Sequence, residues 1–219
     1  MKHSRTGAAL AGGRPHIARL LTSGALAALL PCITVNAATP VTSLLEMRRS
    51  HVVVQQWDIS CGAAALATVL TYQHGDTVEE KEIARSMLRL TDPLRVKVRG
   101  GFSLLDMKRY VEQRGYAASG YSELTIPDLV GFAPVLVPVN FRGYSHFVVF
   151  KGIIGDKVLL ADPGFGNRSV ELDTFRNAWV QPVGFVVRRK DNIPPPNRLV
   201  PRAAELTRPP DAAVRAALN

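Results

Sequence analysis

The chain has 219 residues, 47% of them hydrophobic and 7% aromatic, and a formal net charge of +9. That length supports one domain with its own core and excludes two comfortable ones. The charge implies no nucleic-acid face: residues 1–37 carry four bases and no acid, residues 190–219 five bases and three acids, and residues 38–189 only 18 bases against 15 acids.

Residues 1–37 read as a secretory signal peptide. Lys2, Arg5, Arg14 and Arg19 precede an apolar run from Leu20 to Leu30, and Val35-Asn36-Ala37 suits cleavage after Ala37 or Ala38. The run is shorter than the about 20 apolar residues of a membrane span, and no later stretch approaches one, so no integral membrane segment is expected after cleavage. Pro31 before Cys32 argues against a lipoprotein site. The exported, periplasmic chain would then keep one thiol, Cys61, which has no internal disulfide partner and must be either reactive or buried.

Along the mature chain, His51 to Val54 is a predicted strand. Cys61 opens an Ala-rich helix that ends near His74-Gly75, and the positive end of its dipole is expected to lower the thiol pKa. Thr77 is the candidate cap of a second helix with Glu79 and Glu80 in its first turn and Ile83, Met87 and Leu90 inward. Thr91 to Gly101 reads as a polar loop. Ser103 starts a capped helix to Gln113 that Gly115 closes. Tyr116 to Tyr121 is strand-like, and Ile126 to Phe132 is a short helix with Pro127 near its start.

The second half changes character. Pro134 to Phe141, His146 to Ile154, Lys157 to Ala161 and Val183 to Arg189 are apolar runs bounded by Gly and Pro, and Gly155-Asp156 is a hairpin turn signal. Glu171 to Trp179 reads as one more short helix. Helices first and an antiparallel sheet second define an α+β fold. The expected organisation is a signal over 1–37, one domain over 38–190 and a Pro-rich tail over 191–219 that is disordered or a loosely docked arm.

A thiol nucleophile needs a base, and the base needs an orienting group. The mature chain offers His51, His74 and His146. His74 ends the Cys61 helix, roughly 20 Å from the thiol at 1.5 Å per residue, and cannot serve. His146 opens an apolar strand, and Asp162 ends the strand that the hairpin returns. A strict two-residue turn would put these two side chains on opposite faces, so a three-residue turn or a bulge near Gly155 is expected. Each feature also has a bland reading: a small buried cysteine, an exposed histidine, a common Asp-Pro-Gly turn. Their order along the chain makes the catalytic reading competitive. The histidines and acids show no metal-ligand spacing, and no glycine-rich segment has the strand-then-helix context of a phosphate loop, so neither a metal nor a cofactor is expected.

Four segments, Gln55-x5-Cys61-Gly-Ala-Ala-Ala-Leu-Ala, Gly101-Phe-Ser-Leu-Leu-Asp-Met, His146-Phe-Val-Val-Phe and Val158-Leu-Leu-Ala-Asp162-Pro, resemble in order those of the C39 peptidases over about residues 48–189. The resemblance implies a papain-like cysteine peptidase fold with Cys61 as nucleophile, His146 as general base, Asp162 as its orienter and Gln55 as oxyanion donor, with Gln56 the competitor one residue away. It implies a peptide or protein substrate cut after small, Gly-Gly-like residues, a stand-alone exported enzyme, and an association with secretion-system components or an amyloid-forming precursor. One position departs: the family usually carries Asp just before the cysteine, and here Ser60 stands there. The alternatives are a transglutaminase-like or amidase relative, and a catalytically silent module that escorts an export substrate.

Overall fold

The computed structural model describes residues 43–191 and 193–206. The expected signal over 1–37, Cys32 and the end of the tail from residue 207 lie outside the described residues.

Ser43 caps a short helix, α1 (Leu44–Arg49), through a capping box with Glu46. The chain then runs extended from Val52 without joining the sheet; the strand expected at 51–54 is instead tied by side-chain and loop bonds, Val53 N–H to Thr68 Oγ1 at 2.9 Å among them. Helix α2 (Cys61–Thr68) continues into a π-helical turn, Val69–Gln73. Every residue of α2 is buried. Its alanines let neighbours approach on all sides, which is what a helix apolar all round requires.

Helix α3 (Glu80–Leu90) has Glu79 at its N-cap, and Thr77 does not cap it. The expected polar loop after it contains a helix, α4 (Pro93–Arg99), capped by Asp92, with Pro93 at its first position and Gly100 left-handed at its end. Helix α5 (Leu104–Gln113) has the expected capping box, Ser103 with Asp106. Strand β1 (Ala117–Tyr121) and helix α6 (Ile126–Phe132) follow as the sequence predicts.

Strands β2 (Val135–Phe141), β3 (Tyr144–Ile154), β4 (Lys157–Asp162), β5 (Gly166–Glu171) and β6 (Gly184–Arg188) join β1 in one six-stranded sheet ordered β1-β6-β2-β3-β4-β5. Every pairing is antiparallel. Helix α7 (Leu172–Ala178) lies between β5 and β6 in sequence. One core layer joins Leu66, Leu70, Ile83, Met87, Met107 and Val149 between the helices and the sheet. The other joins Leu129, Val137, Phe150, Leu160 and Phe175 on the opposite face. Strand β5 was not expected, because Gly166-Asn-Arg-Ser-Val-Glu171 has too few apolar residues to read as a strand.

Of the two readings of the tail, residues 193–206 follow that of a docked arm: Leu199 is fully buried in the helix-side core. The Asn197 and Arg198 N–H groups donate to the Gln73 and Tyr72 carbonyls at 3.1 and 2.7 Å. A single apolar residue among prolines anchors the segment, a signal too short for composition to reveal.

Candidate active site

Helix α2 presents its first residue, Cys61, to the start of β3. The Phe147 and Gly62 N–H groups reach the thiol. An ideal Cβ on Gly62 would lie 3.4 Å from the Met107 sulfur and 3.6 Å from the Phe147 ring, so a glycine after the cysteine lets helix and strand approach closely. Burial pushes the Cys61 thiol up from its ordinary 9.0, against the lowering pull of the Phe147 and Gly62 N–H groups. The lowering expected from the helix dipole is therefore outweighed by desolvation.

His146 is buried one residue before Phe147. Its Nε2 lies 3.1 and 3.0 Å from the two oxygens of Asp162. A carboxylate only accepts, so Nε2 carries the proton and Nδ1 presents a lone pair. That Nδ1 is buried with no hydrogen-bond partner among the described residues. Asp162 is fully buried and also accepts from the Gly164 N–H at 2.9 Å and from Arg168 Nη1 at 3.2 Å.

The register explains why these two side chains meet. From the turn, Ile154 pairs with Lys157 and Gly152 with Leu159, but then Phe150 pairs with Leu160. One extra residue, Lys151, bulges out, and the parity of the pairing changes. Beyond it Asp162 falls on the face of His146. The hairpin turn itself has two residues, so the bulge lies four residues before Gly155.

Gln55 is tied to the same corner by its N–H, which donates to the Pro163 carbonyl at 2.9 Å. Its side-chain Nε2 donates to Trp57 O at 3.1 Å, and its Oε1 is buried without a partner among the described residues. Tyr144 lies beside the Gln55 side chain, and its ring lies 4.6 Å from that of His146. The backbone N–H of Gln56 donates to the Glu80 carboxylate. The structure thus brings Gln55, Cys61, His146 and Asp162 to one corner. His74 instead meets the Val187 carbonyl at 3.2 Å.

Sequence reasoning missed three residues here. Tyr144 was legible from strand period, two before His146 and on its face. Arg168 lies on the unrecognised β5. Glu80 read as a first-turn acid, with nothing in the sequence to show its burial. Among the described residues no cluster of three or more metal-ligating side chains occurs, and no helix is long and apolar enough to cross a membrane.

An antiparallel sheet with helices on both faces and a cysteine-bearing helix meeting a histidine-bearing strand define a papain-like α+β fold. The sequence profile of the Peptidase C39 family matches residues 49–191, and the chain belongs to that family. Two curated relatives carry the name "Probable functional amyloid protease FapD". That of Pseudomonas aeruginosa is 41% identical over 140 residues, covering 64% of this chain and 61% of the relative. That of Pseudomonas fluorescens is 42% identical over 139 residues with the same coverage. The match thus spans about three fifths of the length of these relatives. Among solved structures, the peptidase domain of Streptococcus ComA, a bi-functional ABC transporter involved in a quorum sensing pathway, has a TM-score of 0.53 at 17% identity, covering 64% of this chain and 98% of that one. This likeness concerns the fold alone.

Proposed function

We propose that the protein is an exported cysteine peptidase that processes a secreted, amyloid-forming precursor by cutting after small, Gly-Gly-like residues. The observation that carries the reading is the imidazole of His146. Its Nε2–H is spent on a buried carboxylate while its Nδ1 is left with a lone pair, beside a thiol at the start of α2.

In this reading His146 Nδ1 takes the Cys61 proton as the sulfur attacks the scissile carbonyl carbon. The carbonyl oxygen gains the negative charge, which the Gln55 side chain and the Cys61 N–H stabilise. Asp162 holds the imidazole in the tautomer that leaves Nδ1 basic and stabilises the imidazolium. The imidazolium then protonates the leaving amine, giving an acyl-enzyme that water hydrolyses. A thiol kept neutral by burial fits a base that acts during attack. The names of the curated relatives support the amyloid-related substrate, and the basic, then apolar start of the sequence supports export to the periplasm.

A peptide vinyl sulfone ending in Gly-Gly tests the reading. It should label Cys61 rapidly, and His146→Ala should slow labelling by about 10²-fold or more, the scale of a lost general base. An amyloid-forming precursor should be cut by the wild type and not by Cys61→Ala. Slow labelling indifferent to His146→Ala would instead favour a silent substrate-binding module.

A further inference from the structure

Glu80 is a carboxylate almost wholly withdrawn from water, at 4% exposure, yet no Lys, Arg or His among the described residues lies within ion-pair distance of it. Burying an ionised carboxylate is costly unless its charge is met. What meets it is the loop between Gln55 and Cys61. The Gln56 N–H lies 3.1 Å from both carboxylate oxygens. The Ser60 hydroxyl reaches both the Glu80 carboxylate and the Trp57 carbonyl, the latter 2.7 Å away, with one proton for two acceptors. Glu80 is also the first residue of α3, where the helix dipole favours a negative charge.

The two contacts fall at the two ends of one loop. Gln56 adjoins Gln55, and Ser60 adjoins Cys61. Ser60 stands at the N-cap of α2 but makes no capping bond with its side chain, so its hydroxyl serves α3 rather than its own helix. The structure brings a carboxylate to that same side chain from another helix.

Building on the proposed peptidase reading, we infer that Glu80 is a positioning residue. Its buried carboxylate clamps the loop 56–60 to α3 and so fixes the spacing of the two oxyanion donors, the Gln55 side chain and the Cys61 N–H. It touches neither substrate nor the reacting atoms. Misplacing a catalytic donor by about 1 Å can cost on the order of 10²-fold in rate, so removal of the clamp acts on the oxyanion more than on the thiol.

Two reagents separate those effects. Iodoacetamide reads thiol reactivity and develops no oxyanion at a carbonyl under attack. A peptide aldehyde ending in Gly-Gly forms a thiohemiacetal with Cys61, whose oxygen occupies the donor site. Glu80→Gln is expected to weaken the aldehyde by tenfold or more while the alkylation rate changes by less than about threefold. Glu80→Ala should show the same split more strongly, and Ser60→Asp in that background should recover at least tenfold of the lost aldehyde affinity, because the carboxylate is returned to the loop. Ser60→Asp alone, which puts two carboxylates together, should melt lower than the double variant.

If Glu80→Gln does not fold, Ser60→Ala must show the split, since it deletes one contact and leaves the carboxylate in place. An unchanged ratio of aldehyde affinity to alkylation rate in the folded variant overturns the inference, as does a double variant no better than Glu80→Ala. The peptidase reading fails separately, in a wild type that neither binds the aldehyde nor alkylates in a His146-dependent way.

Discussion

His146 and Asp162 face each other because β3 contains one residue more than β4 requires. The extra residue is Lys151, and its side chain is buried, with Nζ 3.2 Å from Asn167 Oδ1 and 2.6 Å from Glu205. Asn167 in turn donates to the Arg48 carbonyl at 3.2 Å and to that of Ser50. The bulge that sets the parity of the site is thus held from three sides, by β5, by the end of α1 and by the tail. Gly152, at φ +146, continues it; an ideal Cβ there would lie 2.6 Å from the Pro201 ring.

Asp162→Asn should fold and lose about 10²-fold or more in turnover, because the amide can no longer stabilise the imidazolium. Asp162→Ala should also destabilise the chain by about 1–3 kcal/mol, since the buried His146 Nε2–H and the Gly164 N–H then lose their acceptor. Urea unfolding and turnover measured on the same preparations check both. Turnover unchanged in Asp162→Asn would remove the orienting role.

The Lys151–Glu205 pair predicts that the tail matters to the core. Glu205→Ala should cost about 1–3 kcal/mol, the scale of a buried charged group deprived of a hydrogen bond, read as a lower urea midpoint at an unchanged slope. Ending the chain at residue 192 should cost more, because Leu199 also leaves its buried position.

How much of this was legible follows from where each signal lies. Helix α5 carries its cap in the sequence, as Ser103 with Asp106, and α6 carries Pro127 near its start, and both occur where expected. The apolar strands β2, β3, β4 and β6 were legible from composition. Helix α4 was lost because Pro93, which starts it, also reads as a loop residue. The need for a bulge followed from side-chain parity, but not its place, since nothing around Lys151 marks it locally. Glu80 and the tail depend on contacts between distant segments, which periodicity cannot carry.

The raised Cys61 thiol fixes a pH dependence. Burial favours the neutral thiol in the folded chain, so this contribution to stability is complete below the ordinary value of 9.0 and is lost as pH rises through the higher folded value. Stability should therefore fall more steeply above pH 9 in the wild type than in Cys61→Ala. The iodoacetamide rate of the substrate-free protein should still be climbing past pH 9. A plateau near neutrality would mean that the thiol is already ionised, and the base-during-attack scheme would give way to a preformed ion pair.

Gly166 offers a test of how fold strain reaches the site. It pairs with Asp162 across β4 and β5, its φ is +83, and an ideal Cβ would lie 2.5 Å from the Arg48 carbonyl oxygen. That oxygen belongs to backbone, at the end of α1, and cannot swing aside as a side chain would. Gly166→Ala combines left-handed strain of about 1–2 kcal/mol with overpacking of about 1–3 kcal/mol. Gly155→Ala is the control: it sits at φ +60 in the hairpin turn, with nothing within 4 Å of the added carbon, and should show only the strain. Thermal melts should therefore separate the two substitutions, with Gly166→Ala the lower. Because the displaced residue is the direct partner of Asp162, Gly166→Ala should also slow Cys61 labelling by the Gly-Gly vinyl sulfone, whereas Gly155→Ala should label as the wild type does. Equal labelling in the two variants would show that α1 and β5 can shift without disturbing the His146–Asp162 bond.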